Sequence, residues 1–140
     1  MIVLDTNVLS ELMRPAPNAR VVEWLDDQDV LAVTISAITV AEILYGIERL
    51  TSGRRKRDFA AMAAAMFEED FAGRILPFGS EAAVYYAEQV AASESTGRQV
   101  HMADAQIAAI CIQHGAVLAT RNIKDFETLS IETVNPWELG

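Results

Sequence analysis

The chain has 140 residues, 51% hydrophobic and 22% charged, a composition that fits one folded domain and excludes disorder as its main state. Against 11 bases stand 20 acids, and the net charge of −9 argues against a duplex-coating nucleic-acid binder, which is normally basic. One cysteine, Cys111, excludes an internal disulfide framework and any cysteine-based zinc site.

Ile2-Val3-Leu4 is a short apolar run of strand type. No basic segment and no long apolar stretch precedes Asp5, so no targeting segment is visible. Asp5-Thr6-Asn7 are N-cap residue types, and Val8 to Met13 continues with helical spacing until Pro15 and Pro17 end it. Ala19 to Asp27 reads as a second helix, with Val21, Val22 and Leu25 on one side. Val30 to Ile35 reads as a buried strand. Ser36 or Thr39 then opens a helix to about Leu50, with Ile38, Ala41, Ile43, Tyr45 and Ile47 mostly buried. The stretch from Val30 to Ile47 carries only Glu42 as a charge, but its β-branched first half and helix-forming second half fit a strand and a helix better than a bilayer span. The expectation is a cytoplasmic protein without a membrane partner, its thiol kept reduced.

Thr51-Ser52-Gly53 breaks the chain, Arg54-Arg55-Lys56-Arg57 follows, and an alanine-rich helix runs from about Asp58 to Phe71. Arg74 to Phe78 is a short strand. Ser80 caps a long helix to about Thr96, which Gly97 stops. Ala103 to His114 is a helix stopped by Gly115, and Ala116 to Thr120 is a strand. Asn122 to Phe126 is a helical turn or loop, and Ile131 to Val134 is the last strand. Strands alternate with helices throughout, which predicts an α/β fold of three layers: a mostly parallel sheet of about five strands with helices on both faces, residues 1–140 forming one domain. Such sheets bind ligands beyond the carboxyl ends of their strands.

Most of the acids have charged company, such as Glu68-Glu69-Asp70, and read as solvated helix faces. Three stand apart. Asp5 is the only charge in the first ten residues, Glu42 the only one between Asp29 and Glu48, and Asp104 the only one between Arg98 and Arg121 with neutral histidines. None has a base at helical spacing to pair with. A carboxylate in a buried segment must be paired, protonated or bound to a metal, and a carboxylate oxygen set suits Mg²⁺ or Mn²⁺. Taken singly, each has an ordinary explanation. Asp5 would be an N-cap, Glu42 an exposed helix residue, and Asp104 a first-turn acid that suits the helix dipole. Their joint placement at one sheet edge carries the signal. Asn122 could hold a metal-bound water, and Asp125 could add a carboxylate. Thr6, Thr39 and Thr120 could orient waters, although capping is the commoner task of such residues. His101 and His114 are too far apart for a metal pair, and Cys111 reads as core rather than nucleophile.

Four segments together resemble the motifs of the PIN domain, in particular the VapC-type toxins of bacterial toxin–antitoxin pairs and their FitB-like branch. They are Ile2-Val3-Leu4-Asp5-Thr6-Asn7-Val8, Ser36-Ala37-Ile38-Thr39-Val40-Ala41-Glu42-Ile43, Ala103-Asp104-Ala105-Gln106-Ile107-Ala108-Ala109 and Ala119-Thr120-Arg121-Asn122-Ile123-Lys124-Asp125-Phe126. Tyr45-Gly46-Ile47 and Asn135-Pro136-Trp137 fit that branch too. The resemblance implies the toxin of a type II pair, an endoribonuclease dependent on Mg²⁺ or Mn²⁺ that leaves a 5′-phosphate and a 3′-hydroxyl. It places Asp5, Glu42 and Asp104 on the family's acidic positions, as metal ligands and catalytic residues, and Asn122 where many relatives carry an aspartate. Asp125 is the substitute candidate. Implied partners are an RNA substrate, a small antitoxin whose carboxyl-terminal segment covers the site, a second copy of the chain, and a higher assembly in which the antitoxin binds operator DNA.

Arg54, Arg55, Lys56, Arg57, Arg121 and Lys124 are the candidate phosphate contacts. The 54–57 run reads equally as a solvated helix start, although bases there oppose the dipole. Two other readings compete. A Mg²⁺-dependent phosphatase would want an aspartate at position 7, where this chain has Asn7, and a phosphotransfer receiver would want an acid pair beside its first strand and an aspartate after its third, neither of which is evident. A nuclease-inactive scaffold, acting only by protein binding, would not need all three acids.

Overall fold

The structure is a computed structural model and describes residues 1–138. Five strands form one parallel sheet: β1 (Ile2–Leu4), β2 (Val33–Ser36), β3 (Ile75–Leu76), β4 (Val117–Ala119) and β5 (Thr133–Val134). Their spatial order is β3-β2-β1-β4-β5. The chain therefore builds outward from β1 on one side, then crosses back to start the other side at β4. The change of direction lies between β1 and β4, where a parallel sheet opens a crevice at its carboxyl edge.

Six helices cover the two faces: α1 (Thr6–Leu12), α2 (Ala19–Asp26), α3 (Ala37–Glu48), α4 (Arg54–Ala65), α5 (Ser80–Ser95) and α6 (Met102–His114). Side chains alternate across the sheet, as the period of two requires. Leu4 and Ala119 pack with Val8, Leu9, Ile43 and Ile47 on the α1–α4 face, while Val3 and Leu118 pack with Ile107, Ala108 and Cys111 of α6 on the other. Ala105, Ala108 and Ala109 are fully buried, and their small side chains let α6 lie between the sheet and α5. The predicted three-layer α/β architecture is thus what forms, with all five strands parallel.

Several local expectations are corrected. Val30–Ala32 is a 3₁₀ turn rather than strand, because the Asp29 carboxylate accepts the Leu31 N–H at 3.0 Å and turns the chain. Val30 and Leu31 are exposed as a result. On α3, Ala41 and Tyr45 face solvent, Tyr45 at 64% exposure; only the stripe of Thr39, Ile43 and Ile47 is buried. The helix expected from Asp58 begins at Arg54, so the basic run forms its first turn, and a π turn at Met66–Asp70 follows it. Gly79, not Ser80, occupies the N-cap of α5, with no side-chain cap bond. Arg74 staples the β3 edge by donating to the carbonyls of Val30, Val33 and Asp70. No described helix is long and apolar enough to cross a membrane.

Candidate metal centre

Register puts the first acid at the crevice. Leu4 pairs with Ala119 across β1 and β4, and the Asp5 N–H extends the ladder to the Ala119 carbonyl at 2.9 Å. Asp5 is then the N-cap of α1 and is only 5% exposed. Its Oδ1 accepts the Thr6 N–H at 2.9 Å, and its Oδ2 accepts from Thr120 Oγ1 at 2.8 Å and Asn7 Nδ2 at 3.1 Å. Burial still raises its pKa, against the lowering effect of those bonds.

Glu42 lies in the second turn of α3, exposed, and reaches back to the same edge. Thr6 Oγ1 donates to Glu42 Oε1 at 2.6 Å. Since that hydroxyl has spent its proton, Thr39 Oγ1 donates to Thr6 Oγ1 across 3.0 Å. Ser36 Oγ makes a long 3.5 Å contact to Thr39 Oγ1 and accepts the Thr39 N–H at 3.1 Å, capping α3. Ser36 and Thr39 are fully buried. A line of hydroxyls therefore runs from the interior to the Glu42 carboxylate.

Asp104 sits in the first turn of α6, half-buried, and its pKa is pushed up to about 6. Burial is the first cause; the charges of Asp5 and Asp125 follow, His101 opposes them, and Glu42 adds to them. Asp5, Glu42, Asp104 and Asp125 thus share one field. Among the described residues, none of Asp5, Glu42 and Asp104 has a Lys or Arg ion-pair partner.

Asn122 and Asp125 lie on the turn after β4. The Asn122 N–H donates to Thr120 Oγ1 at 3.1 Å, and its carbonyl accepts the Asp125 N–H at 3.0 Å. The carboxylate of Asp125, not the neutral amide of Asn122, is what Asp104 senses.

The donors fit a hard divalent cation: carboxylate oxygens without an ion-pair partner, one of them, on Asp104, raised in pKa by burial and by its acidic neighbours. Among the described residues, no three His, Cys, Asp or Glu side chains converge closely enough to enclose an ion. Such an open set suits an ion that retains waters, as Mg²⁺ does, rather than a closed zinc cage.

Residue pattern alone missed the role of Asn7. Its amide donates to Asp5 and, at 3.3 Å, to Thr120 Oγ1, while its Oδ1 accepts the Arg121 N–H at 3.1 Å. It therefore clamps the ends of β1 and β4 together. The available signal was a carboxamide two residues after an aspartate at a strand end. Thr6, Thr39 and Thr120 do not cap helices through their hydroxyls: Thr6 and Thr120 bond the Glu42 and Asp5 carboxylates, and Thr39 bonds Thr6.

The basic candidates divide. Arg55 lines a groove of about 240 Å³ that Thr6 and Glu42 also line. Arg121 and Lys124 line a second hollow with Asn122 and Asp125. The Arg121 guanidinium also lies 5.0 Å from the Trp137 ring centre. Lys56 is engaged with Glu48, donating to its carbonyl at 3.1 Å where a cation suits the end of α3. Arg54 and Arg57 are exposed, Arg54 beside Asp58 at 3.9 Å. Cys111 is fully buried and its thiol is pushed up to about 12, so it is core and unreactive.

Residues 2–131 match the PIN domain family. The chain belongs to that family. This PIN domain is 39% identical over 138 residues to VapC ribonuclease Y4jK of Sinorhizobium fredii, covering 99% of each chain. It is 42% identical to Toxin FitB of Neisseria gonorrhoeae, over 98% of this PIN domain and 99% of that protein. It also resembles a solved structure of FitAB bound to an IR36 DNA fragment, with a TM-score of 0.93, 41% identity, and 100% and 98% of the two chains covered.

Proposed function

We infer that the protein is the toxin of a type II toxin–antitoxin pair and acts as a Mg²⁺- or Mn²⁺-dependent endoribonuclease. The observation that carries this reading is that Asp5, Glu42 and Asp104 feel one another's charge beside the crevice between β1 and β4, with no Lys or Arg ion-pair partner among the described residues and Asp104 pushed up to about 6. The similarity to a VapC ribonuclease and to Toxin FitB supports the substrate class and the biological setting. Asp5, Asp104 and Glu42 would hold the ion, with Asp125 the further carboxylate and Asn122 a neutral neighbour. When bound, a divalent ion supplies an activated water and neutralises charge on the phosphate.

The chain's own residues set the geometry for that chemistry. Thr120, Asn7 and the Thr6 N–H leave the Asp5 carboxylate no free rotation. Thr6 fixes one oxygen of Glu42, and the other would serve to bind the ion or to accept a proton from a water. Arg55 on one side, and Arg121 with Lys124 on the other, bring positive charge to the approaches, where RNA phosphates need it.

In this reading residues 1–140 form one cytoplasmic domain, paired with a small antitoxin that covers the acids. The FitAB structure on DNA supports an assembly in which the antitoxin carries the pair to its operator. The exposed face of α3 with Ala41, Leu44 and Tyr45 supports a homodimer.

The deciding experiment incubates the purified protein with single-stranded and structured RNA in Mg²⁺, Mn²⁺ or EDTA, beside Asp5→Asn. Cleavage by the wild type in Mg²⁺ or Mn²⁺ only is expected. Cleavage that survives EDTA or Asp5→Asn would sink the metal-nuclease reading.

A further inference from the structure

Arg98 is the last Lys or Arg before Asp104 in the chain, yet its guanidinium goes elsewhere. The end of α5 decides where. Thr96 is the C-cap, and Gly97 follows in the left-handed region with φ of +79°. The Gly97 N–H donates to the Glu94 carbonyl at 2.9 Å and the Arg98 N–H to the Ser93 carbonyl at 3.1 Å, the paired bonds of a Schellman stop. From that fixed backbone the Arg98 side chain crosses to the turn after β4. It pairs there with Glu127 and donates to the Lys124 carbonyl at 2.7 Å. Two more side chains of α5, one helical turn apart, hold the same segment further along. Gln89 Oε1 accepts the Ser130 N–H at 2.9 Å, and Ser93 Oγ bonds Thr128 Oγ1 at 3.0 Å. The Lys124 carbonyl and the Asp125 N–H belong to one planar peptide unit. Arg98 takes the oxygen of that unit, and the Asn122 carbonyl takes its N–H at 3.0 Å. On the far side of Asp125, Phe126 is fully buried against Ile107 and Ala108 of α6, the helix that carries Asp104. The backbone of Asp125 is therefore gripped before and after.

We propose that Arg98 is a positioning residue of the metal centre: by holding the Lys124–Asp125 peptide it keeps the Asp125 carboxylate within reach of Asp104, where a divalent cation would take it as a further ligand. The inference rests on the metal-centre reading above. A partner that orients a ligand tunes metal affinity without touching the ion. The charge of Arg98 is engaged by Glu127, so the guanidinium serves this turn without pairing with the acids that the ion needs. A surface ion pair with Glu127 contributes little by itself, and it leaves the bond to the Lys124 carbonyl unexplained. Since Arg98 acts through Asp125, its removal costs no more than removal of that carboxylate.

The test titrates the metal-free full chain with Mn²⁺ by calorimetry. Arg98→Gln should weaken Mn²⁺ binding severalfold, and no more than Asp125→Asn does. Arg98→Lys, which can still donate to the carbonyl, should recover part of the loss. In the Asp125→Asn background Arg98→Gln should change nothing, because the group it acts through is gone. Ser93→Ala loosens the same segment at Thr128, and it should lower stability in urea while leaving Mn²⁺ affinity as in wild type. Unchanged affinity in Arg98→Gln, a further loss in the double variant, no recovery with lysine, or an equal loss in Ser93→Ala overturns the proposal. Wild type that binds no Mn²⁺ overturns it together with the metal-centre reading. Metal-dependent RNA cleavage by wild type, with Mn²⁺ affinity unaltered in Arg98→Gln, rejects the positioning role and leaves the nuclease standing. The expected affinities without any cleavage of RNA would do the reverse.

Discussion

Thr120 Oγ1 donates to Asp5 Oδ2 at 2.8 Å, so the residue that follows β4 holds the carboxylate that follows β1. The bond spans the crevice at its base, and Thr120 is fully buried. Replacing Thr120 by valine keeps the shape and removes the donor, and the same hydroxyl would no longer accept the Asn122 N–H. A buried bond to a charged group contributes about 1.5–3 kcal/mol. Thr120→Val should therefore unfold at lower denaturant by that order, and Thr120→Ser should recover most of the loss. Urea unfolding of the three proteins checks it.

Thr39 touches Glu42 only through Thr6. It is a positioning residue, and its effect should appear in turnover. Thr39→Val should lower kcat about tenfold with KM nearly unchanged, while Thr39→Ser restores it, because the serine hydroxyl can still donate to Thr6. Thr6→Val, which frees Glu42 directly, should cost at least as much. Steady-state cleavage of one defined RNA separates kcat from KM.

Asp104, pushed up to about 6 from 3.8, binds its proton more tightly in the folded protein. Its contribution to stability is present below pH 3.8 and is lost as pH rises through about 6. In metal-free buffer at pH 8, Asp104→Asn should be the more stable protein, on the order of 1 kcal/mol after solvent screening of a half-exposed group. The difference should vanish toward pH 4. Mg²⁺ or Mn²⁺ should then stabilise wild type alone, by about 2.7 kcal/mol at a hundred times its Kd. Thermal melts against pH, with and without the ion, test both.

Asp125 carries the charge that Asp104 senses on the turn after β4; Asn122 contributes its backbone. Asp125→Asn should weaken Mn²⁺ binding severalfold, Asn122→Ala hardly at all, and Asn122→Asp should strengthen it. Calorimetric titration of the metal-free protein with Mn²⁺ gives all four affinities.

Gly115 ends α6 with φ of +61°, a left-handed conformation that side chains resist. Open space surrounds it, so strain alone decides the outcome. Gly115→Ala should destabilise by about 1 kcal/mol without altering cleavage. Chemical denaturation beside an activity assay tests the separation.

Much of this was legible in the residues. Apolar runs such as Ile2-Val3-Leu4, bounded by capping residues, declare the strands, and isolation in uncharged segments singled out Asp5, Glu42 and Asp104. The misreadings have local physical causes. At Val30 the Asp29 side chain outcompeted β-branched propensity. Tyr45 looked buried because an apolar helix seen by composition alone does not reveal which stripe faces the sheet. Asn7 and the threonines were hidden for another reason: their partners lie at positions 5, 39, 42, 120 and 121, and such pairings exist only once the strands have found their order.

That strand order also governs when the molecule can become active during its own synthesis. β1 emerges first, yet its inner neighbour β4 is made after residue 116, and Asp104 only shortly before it. A chain still short of α6 and β4 has Asp5 and Glu42 but neither Asp104 nor the Thr120 hydroxyl that holds Asp5. For a protein proposed to cut RNA and itself translated from RNA, the parallel crossover would hold back the complete set of acids until the message is nearly read through.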